Sequence, residues 1–268
     1  MNQLRFISLA SGSSGNCYFI GTMQNGILID AGIGIRSIKK KLKAQGYGLE
    51  HILAVFVTHD HYDHIKAVGT LGEKHFLPIY STEKILDGIN RNYGVTEKLH
   101  RNRRVIETGQ KYTVGEFEIT AFPVSHDATE TIGYTLEYAG TRFTLATDLG
   151  YICENAATHI RQADHLVIEA NFDREMLRNG HYPLFLQERI DGETGHLCND
   201  ETARFLAENY HKGLKSIYLC HLSKQNNTPE KAFDTVRCAL EQSGVRVGSD
   251  LHLSVLPRMD CSEVFCLS

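Results

Sequence analysis

The chain contains 268 residues, of which 42% are hydrophobic and 22% are charged, and its formal net charge is -4. These values are typical of a globular protein and exclude one that coats nucleic acid through a general excess of positive charge. The seven cysteines form no C-x-x-C pair, and we find neither a signal-peptide pattern nor an apolar run that would span a membrane, so we expect reduced thiols, a cytoplasmic location and no membrane partner.

Short strands and amphipathic helices are predicted in the first half of the chain. Residues 35–44 should form a helix, because Ile35, Ile38 and Leu42 lie on one helical face with lysines opposite. A helix is also expected around residues 66–71 and another over 82–91. Runs of β-branched and aromatic residues between turns predict strands at 5–9, 17–21, 27–30, 53–57, 79–81, 111–114, 117–123, 132–138 and 141–147.

The second half alternates helices and strands. Thr228 and Pro229 are typical of an N-cap and a first helical residue, and the helix they open has an apolar stripe. Strands then helices in each half predict an α/β protein of one domain, residues 1–268, in which two sheets lie face to face with helices outside, an αββα sandwich. The other predicted elements are a helix at 153–161, a strand at 165–169, a mixed helical stretch at 173–190, a helix at 201–209 capped by Asn199 or Asp200, and strands at 216–220 and 251–256.

Four potential metal ligands follow the predicted strand at residues 53–57. The segment V-F-V-T-H-D-H-Y-D-H contains His59, His61, Asp63 and His64. So many imidazoles cannot all find backbone carbonyls within one turn, whereas neutral imidazole and carboxylate are natural ligands for first-row divalent metals. The spacing H-x-H-x-D-H therefore predicts a site for one or two divalent cations.

Further candidate ligands lie at the carboxyl ends of other predicted strands. His126 follows I-T-A-F-P-V-S, Asp148 follows F-T-L-A-T, and His221 follows S-I-Y-L-C. Asp30 ends G-I-L-I-D. Such strand ends line the site crevice of sheet proteins. We expect these residues to converge on the H-x-H-x-D-H segment, with Asp30 orienting a ligating imidazole through its other ring nitrogen.

The motifs T-H-D-H-Y-D-H, S-H-D, A-T-D-L-G and C-H-L-S, in this order, resemble the metal motifs of the metallo-β-lactamase superfamily. Within it, A-S-G-S-S-G-N, E-A-N-F-D, G-H-L-C-N and H-L-S-K-Q-N-N resemble the YycJ/WalJ-type exonuclease group. The resemblance implies the αββα metallo-β-lactamase fold and a two-metal hydrolase. By position, it implies one metal on His59, His61 and His126, the other on Asp63, His64 and His221, and Asp148 as the bridge between them.

The implied cofactors are two divalent metal ions that share a hydroxide as the nucleophile. With Asp148 as bridge and no thiolate ligand, zinc, manganese and iron are all admissible; zinc is the first expectation, and no organic cofactor is expected. His196, in G-H-L-C-N, matches a histidine of related phosphodiesterases, so the resemblance implies that it protonates the leaving group. Asp63 is the second catalytic assignment. The alternative for His196 is an ordinary histidine of a capping loop.

The resemblance implies a phosphodiesterase that acts on nucleic acid, DNA rather than RNA, and specifically a 5′-to-3′ exonuclease. Asp148 and His221 are 73 positions apart (221 minus 148), too few for the inserted clamp domain of RNA-processing relatives. The alternative is a small-molecule hydrolase of the glyoxalase II or lactamase type, acting on a thioester or amide. A third interpretation, a redox diiron module, is disfavoured by His61, where flavoprotein oxygen reductases of this fold carry glutamate.

Two further stretches allow functional and structural interpretations. The loop from Ser11 to Asn16 could form a nest of N–H groups for a phosphate, or it could be a plain turn. Four polar residues resemble group-typical positions and could hold the DNA backbone or simply face solvent: Arg189, Lys224, Asn226 and Asn227.

Overall fold

Two seven-stranded sheets form the centre of the structure, a computed structural model that describes residues 3–268. The strands are β1 Leu4–Ala10, β2 Cys17–Gly21, β3 Gly26–Ile29, β4 Ile52–Phe56, β5 Ile79–Ser81, β6 Arg103–Val105, β7 Lys111–Val114, β8 Phe117–Pro123, β9 Ile132–Tyr138, β10 Thr141–Ala146, β11 His165–Glu169, β12 Ser216–Cys220, β13 His252–Val255 and β14 Phe265–Leu267. The strand orders are β14-β1-β2-β3-β4-β5-β6 and β13-β12-β11-β10-β9-β8-β7. In each sheet the parallel strands lie on one side and the antiparallel strands on the other.

The two sheets share one core, and helices cover their other faces. Phe6 of β1 packs against Phe143 of β10, with ring centroids 5.1 Å apart. Along β11, Val167 belongs to this inner core, whereas Leu166 and Ile168 pack in a second cluster with helices. This is the predicted αββα sandwich. The helices are α1 Ile35–Ala44, α2 Tyr62–Ile65, α3 Val68–His75, α4 Glu83–Arg91, α5 Glu154–Ile160, α6 Arg174–Asn179, α7 Leu184–Ile190, α8 Asn199–Asn209 and α9 Pro229–Gln242, with a 3₁₀ turn at Leu49–His51.

Most predicted elements are confirmed within one or two residues, but three local predictions are wrong. The helix expected around residues 66–71 is divided into α2 and α3, so the ligand segment is itself partly helical. Helix α8 begins at Asn199, and its N-cap is Cys198, whose Sγ accepts a hydrogen bond from Glu201 N at 3.4 Å. Strands β6 and β14 were not predicted, because each has three residues and no alternating pattern of its own. No helix within residues 3–268 has the length and apolar character needed to cross a membrane.

His165, at the start of β11, predicts a loss of stability on acidification. The residue is 4% exposed, its Nδ1 lies 2.7 Å from Ser216 Oγ, and its Nε2 is buried without a partner in the described chain. Burial, together with nearby Lys215, lowers the pKa of His165 from 6.5 to about 4. The unfolded chain therefore binds a proton in this interval that the folded chain does not, so stability should fall as the pH drops from 6.5 towards 4.

We expect His165→Gln to remove up to about 3 kcal/mol of this pH-dependent loss. Urea unfolding of the metal-free protein above and below this pH interval would measure it. His252→Gln, an exposed histidine on β13, is the matched control and should leave the dependence unchanged. Equal slopes for wild type and His165→Gln would contradict the prediction.

Candidate active site

The candidate ligands form two groups where strands of both sheets end. The first group comes from the segments after β4 and β8, and the second comes from α2 and the segment after β12. In each group the ligand atoms all lie within 4.8 Å of one another: His59, His61 and His126 in one, and Asp63, His64 and His221 in the other. The fold therefore brings together the residues of each group that the resemblance implies. The same distance criterion is also met by sets that cross these groups: His59, His64 and Asp148, and Asp148, Glu169, His196 and His221.

Asp148 lies between the two groups. Its Oδ1 is 3.8 Å from Nε2 of His126 in the first group, and its Oδ2 is 3.4 Å from Nε2 of His64 in the second. Burial raises the pKa of Asp148, but the surrounding imidazoles, His221 and His64 above all, outweigh burial and hold it below its usual value. One ionised carboxylate thus faces both groups at once.

Hydrogen bonds on the far side of the rings fix which nitrogen of two imidazoles faces the site. His64 Nδ1 lies 2.8 Å from Asp30 Oδ2, and His126 Nδ1 lies 2.9 Å from the carbonyl oxygen of Gly195. Because a carboxylate and a carbonyl only accept, both Nδ1 atoms carry a proton, and Nε2 is the ring nitrogen that faces the site. The contact of Asp30 with His64 is the arrangement expected from the sequence, and Thr58 N holds Asp30 in turn at 2.8 Å.

The unpaired atoms in this crevice fit divalent metal ions. Nε2 of His59 and Nε2 of His221 are both buried and have no hydrogen-bond partner within residues 3–268. Buried polar atoms are almost always satisfied, so two orphaned imidazole nitrogens beside carboxylates are best explained as ligand atoms. The nitrogen and oxygen donors are those that first-row divalent metals accept.

Glu169, to which the sequence interpretation gave no role, contacts two histidines of the candidate site. It is fully buried, and its Oε1 lies 2.8 Å from Nδ1 of His196 and 2.9 Å from Nδ1 of His221. Burial raises its pKa, but these two histidines, His196 first, outweigh burial and hold the pKa of Glu169 far below its usual value. Its position was a usable signal, because Glu169 ends β11 as Asp148 and His221 follow β10 and β12.

His196 lies beside the ligands and does not cap a helix. Its Nδ1 is 3.8 Å from Asp148 Oδ1, and its ring is partly exposed to the crevice. Burial opposes the charged form of this imidazole, but Glu169 and then Asp148 outweigh it and raise the pKa of His196 above the ordinary value. With Nδ1 held by Glu169, the ring can carry a second proton on the nitrogen that faces the crevice.

Comparison with known proteins decides the family. A family model described as "Beta-lactamase superfamily domain" matches residues 25–221. The Exodeoxyribonuclease YycJ of Bacillus anthracis is 36% identical over 250 residues, which cover 93% of this chain and 94% of that protein. The chain belongs to the metallo-β-lactamase superfamily. Within it, the chain falls in the YycJ/WalJ group, since the Exodeoxyribonuclease WalJ of Streptococcus pneumoniae serotype 2 is 35% identical over 249 residues, 93% of each chain.

A solved structure shows the same fold. The metallo-β-lactamase fold protein YhfI from Bacillus subtilis has a TM-score of 0.70 and 17% identity, over 99% of both chains. Membership of the superfamily, together with the cluster of histidines and carboxylates, makes this chain a metal-dependent hydrolase.

The superfamily site is held partly by unusual backbone conformations. Asp30, Asp148 and His221 follow β3, β10 and β12 and have φ angles of 60°, 58° and 56°, in the left-handed region. This conformation costs a non-glycine residue about 1 kcal/mol or more, so surrounding contacts must hold it. At His221 such a contact is visible, because its N donates to Ser11 Oγ at 3.0 Å.

The loop from Ser11 to Asn16 braces the ligand segments. Asn16 N donates to the carbonyl of Asp63 at 2.8 Å, and Asn16 Nδ2 lies 2.9 Å from His64 Nε2. Gly12 N donates to Asn16 Oδ1 at 2.9 Å and Gly15 N to Gly12 O at the same distance. Since these N–H groups are used within the protein, the geometry favours the turn interpretation over an open phosphate nest.

Asn226 and Asn227 fit neither of the alternatives left open for them, a contact with the DNA backbone or a solvent-facing position, because both are buried. Asn227 Nδ2 donates to the carbonyls of Ala170 and Asn171 at 2.9 and 3.0 Å. It therefore ties the segment after β11 to the start of α9. Arg189 and Lys224 are exposed, and of these Arg189 lies beside the site.

Proposed function

We propose that this chain, as one domain over residues 1–268, is a 5′-to-3′ exonuclease on DNA that uses two divalent metal ions. The observation that carries the proposal is the Glu169–His196 pair beside two ligand groups joined by Asp148. The names of the two relatives, both exodeoxyribonucleases, support the substrate.

In this proposal His59, His61 and His126 would hold one ion and Asp63, His64 and His221 would hold the other, with the Asp148 carboxylate available to both. The bound ions would supply Lewis acidity and an activated water as nucleophile. Zinc is the first candidate, and manganese or iron also suit a donor set of imidazoles and carboxylates without thiolate.

Two side chains of the protein have separate acid–base roles: Asp63 acts on the attacking water, and His196 acts on the leaving oxygen. Asp63 Oδ2 lies 3.7 Å from Nε2 of both His64 and His221. Burial raises its pKa, but these histidines outweigh burial and hold the pKa of Asp63 well below the usual value, so it can accept a hydrogen bond from the attacking water. His196, whose raised pKa favours the protonated ring, donates its proton to the leaving oxygen.

The test is degradation of end-labelled DNA by the metal-loaded protein. We expect a linear single strand with a free 5′ end to be shortened stepwise, whereas a circular single strand of the same composition should persist. Rising salt should weaken binding, because phosphate contacts release counterions. Turnover of a thioester or a β-lactam, with DNA and a generic phosphodiester intact, would replace this proposal by a small-molecule hydrolase. Degradation of the circular strand would overturn the exonuclease assignment alone.

A further inference from the structure

A cavity of about 200 Å³ adjoins the candidate active site. It shares His196 with that site, and Gly195, whose carbonyl fixes His126, forms part of its wall. A group bound in this cavity would therefore lie next to the leaving oxygen that His196 would protonate. The remaining lining residues are Asp127, Tyr182, which precedes α7, and three residues of α7 itself: Leu186, Arg189 and Ile190.

Arg189 lines this cavity with a side chain that is 61% exposed, is paired with Asp127, and has N–H groups left unpaired. Its Nε and Nη2 both lie 2.6 Å from Asp127 Oδ2. The Nη1 amino group has no hydrogen-bond partner in the described chain, although a guanidinium carries five N–H donors. Asp127 is itself tied to the first ligand group, because His61 Nε2 lies 3.3 Å from its carbonyl oxygen. An oriented guanidinium with free N–H groups is suited to a phosphate.

Helix α7 leaves several of its apolar side chains at least partly exposed to solvent. None of its residues is buried, and Phe185 is 72% exposed. Leu186, Ile190 and Tyr182 line the cavity together with Arg189. Tyr182 and Ile190 also pack against a small buried cluster behind the cavity wall. An aromatic ring and aliphatic side chains beside a cation match the way proteins hold single-stranded nucleic acid, by base stacking and backbone contact.

We propose that this cavity is the subsite for the nucleotide that adjoins the scissile phosphate. Arg189 binds the neighbouring phosphate of the strand, and Tyr182 stacks on the base. The ion pair with Asp127 holds Arg189 near the first ligand group, because the Asp127 carbonyl contacts His61. This inference rests on the proposed action on DNA, and it adds a residue that selects a polynucleotide over a small phosphodiester.

Steady-state kinetics of the full-length, metal-loaded protein test the subsite. The substrates are a fluorescein-labelled DNA strand and bis(p-nitrophenyl) phosphate, which has no neighbouring nucleotide. Arg189→Gln should raise KM for DNA about tenfold more than for the small substrate, and it should reduce the salt slope of DNA binding by about 1. Tyr182→Leu should also raise KM for DNA about tenfold, through lost stacking, without changing the salt slope.

Matched control residues lie on α6 and α7, close in sequence to the tested residues. Arg178→Gln removes an exposed charge from α6, and Phe185→Leu removes an exposed ring from α7; neither residue lines the cavity. If Arg189→Gln and Arg178→Gln behave alike on DNA, the subsite is wrong. If Arg189→Gln harms both substrates equally and metal content falls by elemental analysis, Arg189 acts through Asp127 on the ligands, and the subsite is also wrong. A wild-type protein that cleaves the small phosphodiester but neither binds nor cleaves DNA would overturn the DNA substrate and the subsite together.

Discussion

Asp148→Ala is expected to abolish activity and to lower the metal content below two ions per chain. Asp148 faces both ligand groups, with Oδ1 3.8 Å from His126 Nε2 and Oδ2 3.4 Å from His64 Nε2. Without this carboxylate, two cations at the short separation typical of two-metal sites would repel each other with no anion between them. Elemental analysis after gel filtration, with activity on DNA measured on the same sample, tests this expectation.

Two further variants make the Asp148 result specific. Asp148→Asn keeps the shape of the side chain and removes its charge, so it should lose metal as Asp148→Ala does. Asp164→Asn is the matched control, because Asp164 accepts a hydrogen bond from Arg142 N at the opposite end of β10 and should leave metal content unchanged. Thermal unfolding should show that all three variants are folded. Added metal should raise the unfolding temperature of Asp164→Asn as much as that of the wild type, and it should raise that of the two Asp148 variants less. Two tightly bound ions in Asp148→Ala would refute its assignment as the bridge.

His196→Ala is expected to slow the chemical step by roughly 10²–10⁴ while both ions stay bound, since His196 is assigned as proton donor and not as ligand. The loss should appear in kcat more than in KM if the ring acts mainly in the transition state. A nitrophenyl phosphodiester has a better leaving group and needs less protonation, so the same variant should impair it less. Equal losses on the two substrates would favour oxyanion stabilisation, and no loss on either would remove His196 from the mechanism.

Glu169→Gln separates the positioning of His196 from its chemistry. Two carboxylates raise the pKa of His196, and Glu169 contributes more than Asp148. The Glu169→Gln variant should therefore lower the pKa of His196. The alkaline limb of the kcat profile, where His196 loses its proton, should then move to lower pH. A lower kcat with an unmoved limb would indicate that Glu169 acts mainly on His221, whose Nδ1 it also holds at 2.9 Å.

The sequence by itself determined the layered fold and the set of candidate ligands, whereas the division of these ligands into two groups was implied by the family resemblance. Local patterns decide strands and helices, so α1 and strands such as β9 and β11 were predicted at their observed bounds. The H-x-H-x-D-H spacing is also a local pattern. Polar residues at the ends of predicted strands are expected to line the same site, so their positions in the sequence predict which side chains meet. The same rule points to Glu169, the last residue of β11.

Only the tertiary structure decided what the remaining polar residues do, because their partners are distant along the chain. From its sequence position Asn227 could contact DNA or face solvent, but its buried amide donates to the carbonyls of Ala170 and Asn171. Strand β14 exists only because β1 pairs with it, Leu4 opposite Leu267. Arg189 could hold the DNA backbone or face solvent, and only the structure shows that it pairs with Asp127, 62 positions away, and lines a cavity with His196. Such contacts depend on how the segments pack, and no local pattern in a single sequence encodes that packing.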